Sequence, residues 1–185
     1  MESKDIKKYT HIEHVLNIPD TYIGSTEFTT EEIWLYDDEN NKMKKQLINY
    51  IPGEYKIFDE LLVNALDQNT RLQEQIKKGK ELNPVKNIKV NYNTDENFIS
   101  VYNDGEGIPI EKHQTEDIYI PELIFGHLLT SSTFTEEKRI TAGTHGLGAK
   151  LTNIYSKKFE VEIGDSKNKL HYYQSFENNL SKINK

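Results

Sequence analysis

Tyr55-Lys-Ile-Phe-Asp-Glu-Leu-Leu-Val-Asn-Ala-Leu-Asp-Gln-Asn-Thr-Arg-Leu72 carries two opposed stripes when wound as a helix. At an advance of about 100° per residue, Phe58, Leu61, Leu62, Ala65 and Leu72 share one side and form a core-facing stripe. Glu60, Asn64, Asp67 and Arg71 recur at helical spacing and fall on the opposite side. Ile57 and Val63 border that row, so it is a narrow polar strip rather than the broad, Lys-rich face of a solvated helix. Considered alone, the helix leaves two readings open, a wet face with a chance row of polar residues or a strip that meets a ligand.

Two further segments bear on that choice. Val101-Tyr-Asn-Asp-Gly-Glu-Gly-Ile-Pro109 runs from a strand into a turn with glycines. Glycine there lets the backbone approach a ligand closely, and the amide of Asn103 just before it can hydrogen-bond the edge of a planar base. An ordinary Asn-Asp-Gly turn has the same appearance. The other segment is Thr130-Ser-Ser-Thr133 followed by Thr141-Ala-Gly-Thr-His-Gly-Leu-Gly-Ala-Lys150. Gly143, Gly146 and Gly148 lead into a helix, so backbone N–H groups converge at its positive end and form an anion site, with the charge of Lys150 one turn in. The spacing is not that of a Walker A loop, because Ala149 separates the last glycine from the lysine and Leu151 follows. It is not a Rossmann fingerprint either, since no strand with a downstream acidic ribose ligand is evident.

Around these segments the chain alternates strands and helices. Residues 11–26 predict a short amphipathic helix stopped by Pro19 and then a turn at Gly24, an arm over residues 1–26 before a body at 27–185. Ile33–Tyr36 and Gln46–Ile51 predict paired strands joined by a polar loop, and Ile88–Tyr92 and Phe98–Tyr102 a second hairpin. Pro121 begins a helix to about Leu129, another starts inside Gly146–Lys150, and Phe159–Ile163 with Leu170–Tyr173 closes a last hairpin before a polar tail. The order predicts an α+β two-layer sandwich, a mixed but mostly antiparallel sheet with helices on one face.

The 185 residues allow one domain with a real core. A net charge of −7 repels nucleic acid phosphates, so DNA would have to be gripped by other parts. With no cysteine, disulfides and thiolate metal sites are excluded. The charged start Met1–Thr10 has no apolar run for a signal peptide and no stretch spans a membrane, which predicts a soluble intracellular protein.

Taken in order, the three segments resemble the GHKL ATPases, a family that includes type IIA topoisomerases, large heat-shock chaperones, mismatch-repair proteins of the MutL type and sensor histidine kinases. The likeness runs from about residue 10 to at least 176. Pro19–Ser25, Tyr55–Asn64, Leu123–Gly126, Leu128–Ser132 and Gly146–Lys150 are most similar to the type IIA topoisomerase branch. The resemblance implies the Bergerat fold, ATP and Mg²⁺ as ligands, and ATP hydrolysis that drives the N-terminal gate of a DNA strand-passing enzyme. It implies Glu60 as the general base for the attacking water, Asn64 as the Mg²⁺ ligand, and Asn103 at the adenine amino group, where many members carry Asp. Ser131, Ser132 and Thr133 would contact sugar and phosphates. Gly143, Thr144, His145, Gly146, Leu147, Gly148, Ala149 and Lys150 would wrap the triphosphate, Lys150 neutralising developing charge.

Thr144 and His145 stand where eukaryotic relatives usually carry Arg and Asn, and a histidine there is similar to the bacterial gyrase branch. Ile6, not Tyr9, occupies the register of the tyrosine of the family's N-terminal strap. The family also implies a homodimer through that gate, a transducer domain with a second phosphate-binding lysine, a DNA-cleavage core, and, in a eukaryote, the nucleus, otherwise the cytoplasm or a viral replication site. Neither transducer nor cleavage tyrosine is visible before Lys185, so weak or absent turnover is expected of the isolated chain. The alternatives are a nucleotide-binding or dimerisation module without hydrolysis, which the presence of Glu60 disfavours, or another GHKL ATPase such as a MutL-type protein.

Overall fold

The computed structural model describes residues 7–128, 130 and 146–184. Its elements are α1 (His11–Asn17), a 3₁₀ turn at Pro19–Thr21, β1 (Thr29–Asp37), β2 (Lys42–Tyr50), α2 (Pro52–Lys77), β3 (Ile88–Asn93), β4 (Phe98–Asn103), α3 (Ile120–Gly126), α4 (Gly148–Ile154), β5 (Lys158–Asp165), β6 (Leu170–Glu177) and β7 (Lys182–Asn184). The fold is α+β, as the sequence predicts, and every strand pairing among the described residues is antiparallel. Among the described residues these pairings group as β1-β2, β3-β4 and β5-β6-β7.

Local chemistry explains the elements. Thr10 caps α1 with a full capping box, its side chain accepting from the Glu13 N–H while the Glu13 carboxylate accepts from the Thr10 N–H. Pro52 opens α2 at a position where its missing N–H costs nothing. After Gly53 the helix runs without Gly or Pro to Lys77. The β1-β2 hairpin is longer than its apolar residues suggest, because Lys42, Met43, Lys44 and Lys45 all pair while remaining exposed. Strand β7 lies in the segment expected as a polar tail. It is reached through Asn178, Asn179 and Leu180, all with positive φ, and Leu180 and Ile183 reach the core there.

The core is a cluster of Val15, Ile23, Leu151, Ile154, Val161, Phe176 and Leu180, with Ile57, Phe125, Leu147 and Phe159 packed on it. Ile154 and Phe176 are fully buried, and each such side chain contributes about 1.5–3 kcal/mol of transfer free energy. Val15 and Ile23 belong to this same cluster, so α1 and the turn after it share the core of the later strands. Helix α4 occupies the centre, with α1, α2, α3 and β5 all packing against it.

Candidate functional site

Packing α4 across α2 decides which side of α2 is covered. The Thr152 hydroxyl donates to the Ile57 carbonyl at 2.8 Å, and α2 also rests on β4. Gln68 donates to the carbonyl of Glu106 at 2.7 Å, tying α2 to the turn after β4. The polar strip is therefore not a wet face. Glu60 keeps only 18% of its side-chain surface, and Asp67 is buried. Asn64 is half-buried one turn beyond Glu60. Arg71 Nε is buried without a hydrogen-bond partner among the described residues.

Glu60 faces the start of α4. A Cβ placed on Gly148 would lie 2.0 Å from Glu60 Oε2 and 2.9 Å from its Cδ, so only glycine admits the carboxylate there. This approach brings Glu60 to the glycine segment that ends at Lys150. The other carboxylate oxygen, Oε1, is 2.5 Å from Lys56 Nζ, and Lys56 also lies 3.5 Å from Asp59. The hydrogen bond to Glu60 holds the Lys56 ammonium above its ordinary range. Lys56 stands at i, i+4 spacing from Glu60 in the sequence, a pair that its spacing alone does not mark as part of a site.

Lys150 is almost fully buried, and its ammonium donates to the carbonyls of Thr130 at 2.5 Å and Gly146 at 2.7 Å. Burial lowers its pKa to about 8. Beside it Gly146 adopts a φ of 62°, while Leu147 is half-buried against the core and Ala149 is buried.

The turn after β4 is built by Asp104, whose carboxylate accepts from the N–H groups of Lys86 and Asn87 and from the Asn87 amide. These bonds hold its pKa below the usual carboxylate range. Gly105 has a φ of 95°, and a Cβ there would meet the Val85 nitrogen at 2.9 Å, so both conformation and space demand glycine. Asn103, at the end of β4, donates its amide N–H to the Asp104 carbonyl at 3.0 Å. That bond uses one of the amide's two N–H donors and leaves Oδ1 pointing the other way.

Of the residues singled out from the sequence, Glu60, Gly146, Leu147, Gly148, Ala149 and Lys150 are brought together, with Asn64 alongside. Asn103 stands at the end of the strand that α2 covers. Ser131, Ser132, Thr133, Gly143, Thr144 and His145 lie outside the described residues.

Residues 52–173 match the sequence profile of the family described as histidine kinase-, DNA gyrase B-, and HSP90-like ATPase. DNA topoisomerase 2 of Candida glabrata is 49% identical over 180 residues, which are 97% of this chain and 12% of that protein. The crystal structure of the ATPase region of Saccharomyces cerevisiae topoisomerase II superposes with a TM-score of 0.88 at 44% identity, covering 100% of this chain and 46% of that one. The ATPase and transducer domains of DNA topoisomerase II from Balamuthia mandrillaris give 0.89 and 45%, covering 100% and 45%. The chain thus spans 12% of the length of the Candida protein.

Proposed function

This chain belongs to the histidine kinase-, DNA gyrase B- and HSP90-like ATPases, and we propose that it binds and hydrolyses ATP as the N-terminal gate of a type II DNA topoisomerase. The observation that carries this reading is the contact of the Glu60 carboxylate with Gly148, which sets a base against the glycine segment. Phosphoryl transfer to water needs positioned charge and one base more than covalent help from the protein. Glu60 takes the proton of the attacking water. The segment from Gly143 to Lys150 holds the phosphates, with Ser131, Ser132 and Thr133 beside them, and the Lys150 ammonium neutralises charge that develops there.

The likeness to topoisomerase II ATPase regions supports the assignment of the whole reaction, strand passage through a duplex, to the larger protein of which such a gate is part. Dimerisation through the N-terminal segment, engagement of a transducer and a DNA-cleavage core, and residence in the nucleus of a eukaryote belong to the same proposal. No described helix is long and apolar enough to cross a membrane.

Mg²⁺ fits the donor set. Among the described residues no group of three or more His, Cys, Asp or Glu converges, so no all-protein cage is available. Asn64 offers a single amide oxygen, as expected of an ion that keeps several waters and takes its other ligands from phosphates. Bound there, the ion would screen the phosphate charges.

Base selection rests with Asn103. With one of its two N–H groups engaged by the Asp104 carbonyl, Oδ1 accepts from the exocyclic amino group of adenine, whereas guanine presents a carbonyl at that edge. Calorimetric titration of the chain with ATP and GTP in Mg²⁺ tests this. ATP binds in preference to GTP, and Asn103→Leu weakens ATP by about tenfold or more, the cost of roughly one lost hydrogen bond in a desolvated site. No ATP binding by the unsubstituted chain would refute the proposed function. Binding that is indifferent to Asn103 would refute its role in base selection.

A further inference from the structure

We propose that Lys56 is a positioning residue for the hydrolysis, holding one oxygen of the Glu60 carboxylate so that the other is the one presented to the water; this rests on the reading of Glu60 as the base. The two oxygens have different surroundings. Oε1 lies 2.5 Å from Lys56 Nζ, whereas Oε2 is the oxygen that the missing Cβ of Gly148 makes room for. An i, i+4 Lys–Glu pair on a helix is commonly a solvated surface pair worth little. This one differs, because its carboxylate is 18% exposed and its far oxygen abuts another element.

The physical need for such a holder lies in the glutamate side chain. The torsion that turns a carboxylate about its last bond is broad and roughly two-fold, so an untethered Glu60 would present either oxygen over a wide range of angles. A cation on Oε1 narrows that range. It also makes Oε1 the poorer proton acceptor, since its lone pairs are already engaged by an ammonium. Proton transfer is thereby directed to Oε2. The water proton moves to Oε2 as the water oxygen bonds to the γ-phosphorus. The bond from that phosphorus to the bridging oxygen breaks, and ADP and phosphate leave. Lys56 keeps its proton throughout. Asp59, 3.5 Å from the ammonium, is a second anchor that keeps Lys56 on this side of the helix.

The test is single-turnover hydrolysis of ATP by the full chain bearing Lys56→Met, Lys56→Arg or Glu60→Gln, with ATP affinity and Tm measured on each. With Met at 56 the rate falls by about 10- to 100-fold, the scale of a misoriented reacting group, while ATP affinity and Tm stay near the unsubstituted values. Lys56→Arg recovers most of the rate, and adding Lys56→Met to Glu60→Gln causes no further loss. An unchanged rate in Lys56→Met beside an inactive Glu60→Gln overturns this proposal alone. A loss accounted for by lower Tm or weaker ATP binding makes the pair merely structural and overturns it as well. A chain that binds ATP and hydrolyses none, alone or with a transducer-bearing topoisomerase II ATPase region added, overturns it together with the catalytic half of the functional reading.

Discussion

Helix α4 and the β1-β2 hairpin are opposites. Every residue from Ala149 to Ile154 is buried, whereas the hairpin leaves Trp34 59% and Leu47 72% exposed. The hairpin satisfies its backbone in its own ladder from Thr29↔Tyr50 to Asp37↔Lys42, and its side chains settle locally, as where Lys45 meets Glu32 and lies over the Trp34 ring. Such a unit tolerates change, because little else depends on it. Helix α4 has no such independence. Its first turn receives Glu60 and carries Lys150, whose ammonium is held by the Thr130 and Gly146 carbonyls, and its last residues are the floor of the core. The proposed chemistry and the stability therefore meet in the same turn, and a substitution there would act on both.

The contrast is broken most directly at Gly148. Gly148→Ala puts a methyl 2.0 Å from Glu60 Oε2, so either the carboxylate or the start of α4 must move. Overpacking of this kind costs about 1–3 kcal/mol, read as a lower midpoint in urea unfolding. Displacing the base lowers ATP turnover by about 10²-fold. A fully stable and active Gly148→Ala chain would dissolve the claimed contact.

A smaller effect sharpens the same comparison through pH. The Lys150 pKa is lowered to about 8 by burial from an ordinary 10.5. The sign follows from proton counting. Between about pH 8 and 10.5 the unfolded chain holds the proton at Lys150 and the folded chain releases it, so this group makes stability rise with pH across that window. Below about pH 8 both states are protonated, and the cost of burying the charge is present in full. The carbonyls of Thr130 and Gly146 offset part of that cost. Comparing Tm of the unsubstituted and Lys150→Met chains at pH 7.5 and 10 cancels the other titrations. The unsubstituted chain gains on the variant by roughly 1–3 kcal/mol between these pH values. A difference that does not change, or that falls, would show that Lys150 keeps an ordinary pKa.

The smallest effect belongs to the hairpin. Leu47→Thr removes an exposed apolar side chain and keeps a strand-forming residue. Stability changes by no more than about 0.5 kcal/mol and ATP affinity stays constant. A loss like that of the Gly148 variant would mean that the hairpin is coupled to the centre.

The same contrast governs what could be read from the sequence. The half-buried polar strip of α2 is legible in the sequence because it recurs at helical spacing. Glu60 and Asn64 recur at helical spacing inside apolar borders, and glycines cluster where backbone or carboxylate must come close. Lys56 went unread because an i, i+4 lysine looks the same whether it is solvated or holds a carboxylate against Gly148. Only tertiary packing separates the two. The hairpin strands were drawn too short because Lys42 to Lys45 bury nothing and so carry no alternation. Strand β7 was missed for a related reason, since Leu180 and Ile183 are sparse among polar residues and reach the core only through left-handed turn residues. Burial of Lys150 is equally invisible, because a lysine one turn into a glycine-led helix reads as a charge offered to an anion rather than one held by backbone carbonyls.

The account stands on Glu60 as the group that activates water. Single-turnover hydrolysis and ATP binding, measured side by side on the unsubstituted chain and on Glu60→Gln, test that most directly. The account predicts comparable ATP affinity in both, slow hydrolysis by the unsubstituted chain, and a rate lower by about 10²- to 10⁴-fold in the variant. Equal hydrolysis by the two chains would contradict it.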